Sequence, residues 1–143
     1  MPLYRTILAT TDFSNVSDSA VYRGAELATL LGAQLHLLHV IEHFPEDRPS
    51  GEPFPENEDP VDFYRRRARE RMIEQIQRLN ITEPEMHILL SRYSAARSII
   101  EFINSHNTEL VVLGNEPKFF SLGSTATSVA HRAECDVLVV RNS

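Results

Sequence analysis

Apolar and polar positions along the chain switch repeatedly between two periods. Tyr4 to Thr11 (YRTILATT) is a short apolar run rich in β-favouring residues, and it stops at the polar stretch TDFSNVS, as a buried strand stops at its C-terminal loop. From Asn15 to Leu31 the period lengthens. Val16, Ala20, Gly24, Leu27, Ala28 and Leu31 recur at three- and four-residue steps, with Ser14 placed as N-cap and Gly32 as terminator. Gln34 to Ile41 (QLHLLHVI) and Glu85 to Ser91 (EMHILLS) predict a second and a third strand. Ser94 caps a further helix whose stripe is Ala95, Ile99, Phe102 and Ile103. Glu109 to Gly114 (ELVVLG) and Asp136 to Arg141 (DVLVVR) predict strands four and five, with a helix over Leu122 to Ala133 between them.

Between strands two and three lies a long excursion, Glu42 to Asp59. It carries Pro45, Pro49, Pro53, Pro55 and many carboxylates, a composition that opposes regular ladders and predicts an exposed loop. Asp59-Pro60 then opens a helix that runs to about Leu79, with Asp as N-cap and Pro at the first helical position. Its RRRARER block places Glu70 and Glu74 at helical spacing from Arg66, Arg67 and Arg71, which predicts an ion-paired, solvated face rather than a binding patch. Strands alternating with helices, several strands being apolar on both faces, predict a doubly wound α/β sandwich with a parallel sheet.

Composition narrows the function classes. A chain of 143 residues, 42% hydrophobic, suits one domain over residues 1–143. No apolar run approaches the ~20 residues of a membrane span, and the N-terminus turns polar too soon for a signal peptide, so the expected location is cytoplasmic. The formal charge of −6 argues against a nucleic-acid partner, which would need clustered Lys and Arg. Cys135 is the only cysteine and is expected to be a small buried apolar residue. His36, His39 and His43 resemble a metal cluster, but strand alternation sends His36 and His39 to opposite faces, so packing or surface roles are expected. No Walker loop, Gly-x-Ser-x-Gly elbow or Gly-x-Gly-x-x-Gly is present.

In doubly wound sheets ligands sit at the carboxyl ends of strands, where the strand order reverses. Thr10-Thr11-Asp12, His39-Val40-Ile41 and Leu113-Gly114 end three strands here. Asp12 can accept from a base or sugar, or serve as a turn residue for the helix that follows; Val40 can offer backbone groups to a base edge.

ILATTDFSNVSDSAVYRGAELATLLGAQLHLLHVIE, SAARSIIEFINSHNTELVVLG and LGSTATSVAHRAECDVLVVR together resemble the universal stress protein family, over essentially the whole chain except the proline-rich excursion. The resemblance implies a Rossmann-like five-stranded parallel sheet of order 3-2-1-4-5, a homodimer, here through strand 136–141, and a stress-response regulatory or binding protein. In some members it also implies ATP binding. Thr10, Asp12 and Val40 then match base- and ribose-side positions. The ATP-binding pattern after the fourth strand is a glycine, two residues, a second glycine, nine residues and a closing Gly-Ser or Gly-Thr. Gly114 matches its start, and Gly123, Ser124 and Thr125 its phosphate-holding end. The middle departs: Pro117 stands at the second glycine's place, and only eight residues separate Gly114 from Gly123, four fewer than the pattern. Three readings stay open: a degenerate nucleotide site that takes ATP, a partner-binding dimer whose cleft is filled by Phe119 or Phe120, and a slow ATP hydrolase.

Overall fold

The computed structural model describes residues 2–42, 58–115 and 123–141. Among the described residues nine elements alternate: β1 (Thr6–Thr10), α1 (Asn15–Leu31), β2 (Gln34–Ile41), α2 (Pro60–Arg78), β3 (Glu85–Leu90), α3 (Ala95–His106), β4 (Leu110–Asn115), α4 (Ser124–Arg132) and β5 (Asp136–Arg141). The strands form one parallel sheet of order β3-β2-β1-β4-β5. This is the doubly wound α/β arrangement, with β3 and β5 at its edges.

Side-chain alternation along the strands builds two cores, one per face. Ile7, Ala9, Leu35, Leu37, Leu110 and Val112 pack with Ala20, Val21 and Ala28 of α1 and Met72 of α2. Leu8, Leu38, Val111 and Leu113 pack with Ala96, Ile99, Phe102 and Ile103 of α3 and Ala126 and Val129 of α4. Burial on both faces is why these strands read as nearly continuous apolar runs. Cys135 is half-buried rather than buried, packed against the second core, and burial pushes its thiol up from the ordinary value.

Local chemistry sets the helix ends where the sequence places them. The Ser14 side chain accepts from the Ser17 N–H, Gly32 takes the left-handed conformation at φ 68°, Asp59 accepts from the Val61 N–H ahead of Pro60, and Ser94 accepts from the Arg97 N–H. Arg66 pairs with Glu70 at 3.0 Å and with Glu58 at 2.9 Å, which accounts for part of the ion-paired face. Other boundaries shift. β1 begins at Thr6, not Tyr4, and ends one residue before Thr11; β3 ends at Leu90; β4 runs from Leu110 through Asn115 instead of stopping at Gly114. The last helix is shorter than Leu122 to Ala133, because Gly123 holds an extended conformation as its N-cap and Ala133 is extended at its other end. Most of the proline-rich excursion, and Pro117, Phe119 and Phe120, lie outside the described residues.

Candidate functional site

Five parallel strands point their carboxyl ends the same way, and the sheet order reverses between β1 and β4. A cavity of about 150 Å³ opens there. Its wall takes Thr10, Thr11 and Asp12 from the end of β1, Val40 and Glu42 from the end of β2, Leu113 and Gly114 from β4, Ala95 and Ile99 from α3, and Thr125 from α4. Thr10, Asp12, Val40, Gly114 and Thr125 thus meet around one space. Gly123 and Ser124 begin α4 beside it but do not line it.

The loop after β1 is fixed by its own polar groups. The Asp12 N–H donates to Ser17 Oγ at 3.0 Å, the Ser17 hydroxyl donates back to Asp12 Oδ1, and the Ser14 N–H donates to the same oxygen at 3.0 Å. Burial acts to raise the Asp12 carboxyl, but these bonds outweigh it, so Asp12 is held below its usual value and ionised at neutral pH. Both bonds go to Oδ1, so a ligand's donors would meet Oδ2. Asp12 is therefore a turn residue and a cavity residue at once.

Behind the loop a stack braces it. Phe13 sits at φ 68°, its N–H donating to Thr11 Oγ1 at 3.0 Å, and its ring lies 4.3 Å from that of His39 and 4.7 Å below the Arg71 guanidinium. His39 donates from Nδ1 to the Thr11 carbonyl at 2.8 Å. Burial lowers the His39 pKa against the pull of that bond, so the ring is neutral. His39 therefore supports the loop from the α2 side, opposite the α3 face to which His36 turns.

Sequence reasoning missed two residues here. Asn115, at the end of β4, is buried, and its Oδ1 accepts the Gly123 N–H at 2.7 Å, fixing where α4 starts. Gly123 supplies no side-chain cap to the first-turn N–H groups of α4. Glu42 was assigned to the acidic excursion, yet its Oε2 accepts the Ala95 N–H at 3.1 Å at the start of α3. The cavity is consequently polarised. Two carboxylates, Asp12 and Glu42, stand on its β1–β2 side, and a helix N-terminus with Thr125 stands on the other.

The family model of the universal stress proteins matches residues 3–141. The chain belongs to the universal stress protein family. It is 31% identical over 140 residues to universal stress protein A homolog 1 of Coxiella burnetii, with 96% of each chain covered. Among solved structures, the universal stress protein UspA of Lactobacillus plantarum aligns at TM-score 0.71 and 25% identity, over 96% of this chain and 98% of that one. A universal stress protein in complex with cAMP aligns at TM-score 0.67 and 25% identity, over 98% of each chain. The α/β fold is thus common to this chain and these solved universal stress proteins.

Proposed function

We propose that this universal stress protein is a nucleotide-binding regulatory protein of the cytoplasm, with no reaction of its own, whose cavity takes the base, with the sugar at its mouth, while α4 takes phosphate. The polarity of the cavity carries this reading. Asp12 and Glu42 repel an anion and accept from amino or hydroxyl groups, whereas the start of α4, to which Gly123 gives no side-chain cap, attracts one. The neighbouring fold solved with cAMP supports a nucleotide as the ligand class. The size fits a division of labour: about 150 Å³ is room for one aromatic ring, so the phosphates would extend outside, over Ser124 and Thr125.

Calorimetric titration with ATP, AMP and cAMP is expected to give saturable heat with at least one of them. Thr125→Val should then weaken binding by about 1 kcal/mol, roughly fivefold, through loss of one hydroxyl contact. Flat titrations with all three would overturn the nucleotide reading. They would favour a partner-binding dimer instead, a reading supported by a cavity smaller than the ~300 Å³ at which ligand pockets usually begin.

The dimer is the second half of the proposal. Among the described residues β5 has a single strand neighbour, β4, and it has an apolar sequence, so its outer edge would offer N–H and C=O groups to a two-fold mate. Sedimentation at micromolar concentration should give twice the chain mass; a monomer would overturn it.

A further inference from the structure

The opposite end of the sheet holds a second group of chemistry-bearing side chains. In the parallel register of β2 and β3, His36 stands beside Glu85 and Leu38 beside His87, so His36, Glu85 and His87 share the face covered by α3. His36 Nδ1 lies 2.9 Å from His87 Nε2. Glu85 offers Oε2 at 3.5 Å from the former and Oε1 at 3.9 Å from the latter. The three ligand atoms all lie within 4.8 Å of one another.

Two imidazole nitrogens facing each other at that distance share one proton, one ring donating and the other accepting. Both rings are largely buried, with side chains 8% and 18% exposed, while Glu85 is 51% exposed. Burial pushes both histidines below the ordinary value. The nearby His106 adds to this for both rings, and Glu85 opposes it.

We infer that His36, His87 and Glu85 form a binding site for a divalent transition-metal cation of the zinc class, independent of the nucleotide cavity. Two imidazole nitrogens and one carboxylate oxygen are a donor set suited to zinc, cobalt or nickel rather than calcium or magnesium, which take oxygen. Ligand atoms at ~2.0–2.1 Å around a tetrahedral zinc lie ~3.3 Å apart. The two nitrogens are 2.9 Å apart, Glu85 reaches one of them at 3.5 Å through Oε2 and the other at 3.9 Å through Oε1, and one atom from each residue falls within 4.8 Å of the others, so side-chain rotations would bring a single carboxylate oxygen and both nitrogens to that spacing. On binding, the ring that donates in the metal-free pair moves its proton to its other nitrogen, and the metal takes the vacated lone pair. A fourth position on the side of the half-exposed Glu85 would take water.

The surroundings hold these ligands in place. Gln34 Nε2 donates to Glu85 Oε2 at 3.0 Å. The Phe102 ring meets His87 edge-on at 4.7 Å and His36 at 5.9 Å between centroids, and stacks on His106 at 3.8 Å. His106 Nδ1 is near the Phe102 carbonyl at 3.1 Å and Ser105 Oγ at 2.9 Å, which leaves it a neighbour rather than a ligand.

The test uses the full chain, free of any affinity tag and stripped with EDTA. Titration with zinc alone should show one equivalent per chain with a rise in melting temperature, and cobalt should give the visible bands of a four-coordinate site. His87→Gln should abolish binding. Glu85→Gln, at a half-exposed position where folding is not at stake, should weaken it at least tenfold. His131→Gln, at an exposed position on α4, should leave it unchanged. If His87→Gln fails to fold, Glu85→Gln decides. The absence of stoichiometric zinc, binding that survives Glu85→Gln undiminished, or binding lost in His131→Gln would overturn the site and return the histidine pair to a packing role.

Discussion

Replacing Phe102 by Ala is expected to destabilise the metal-free protein by about 3–5 kcal/mol, the usual range for a buried aromatic. Phe102 is 3% exposed, on the inner face of α3. One face of its ring stacks on His106, and its edges meet His36 and His87, so no single neighbour can collapse into the space that Ala would leave. At roughly 2–4 °C per kcal/mol for a chain of this size, the melting temperature should fall by about 10 °C. Ile100→Ala, a position on the same helix that is only partly buried, should cost less. A Phe102→Ala loss below about 1 kcal/mol would show that the aromatic cluster is loosely packed and that Phe102 does not hold the histidines in place.

The elements legible in the sequence are those fixed by chemistry within a few residues. Ser14, Ser94, Asp59-Pro60 and Gly32 announce helix ends because the cap hydrogen bond or the left-handed turn is made by that residue itself. Strand ends depend on partners far along the chain and were less exact. Tyr4 and Arg5 have the right composition for β1, but β1 meets β4 only at Ile7, Leu8 and Ala9, and the Arg5 N–H turns to the Glu109 carboxylate instead of a strand. Asn115 reads as the start of a loop, yet it pairs with Arg141 of β5 and continues the ladder past the glycine. The strand order came from the family resemblance; no periodicity in the chain specifies which strand lies beside which.

The candidate sites divide along the same line. Thr10, Asp12, Val40 and Gly114 were accessible because a rule about strand ends converts sequence position into location. Glu42 was not, since its acidic, proline-rich neighbours outweighed the single bond it makes to Ala95. His36 was weighed only against His39 and His43, its neighbours in sequence. Its partner His87 is 51 residues away on a strand whose register cannot be deduced from either segment alone. An E-x-H pair at period two on β3 was the one local signal, and it gains meaning only once β2 is known to lie alongside.

Gly114→Ala should separate two explanations of a glycine that the family pattern assigns to the nucleotide loop. A Cβ at this position would lie 2.6 Å from Val16 Cγ1, 2.7 Å from the Val16 carbonyl oxygen and 3.0 Å from its carbonyl carbon. The Val16 methyl can rotate away, but the carbonyl belongs to the first turn of α1 and cannot. Relief would require α1 to move off β4, and the same helix is held close further along, where Gly24 faces Ala9 with only 3.2 Å for a Cβ. The cost should therefore reach the upper part of the ~1–3 kcal/mol range for overpacking. It should appear in thermal unfolding without any ligand. If Gly114 were needed only for phosphate, the variant would melt like the wild type and lose nucleotide binding alone. The double variant Val16→Ala with Gly114→Ala sharpens the test. Removing the methyls relieves the 2.6 Å contact but leaves the carbonyl at 2.7 Å, so stability should return only in part. Full recovery would mean that α1 yields at its first turn and that the backbone contact does not require glycine.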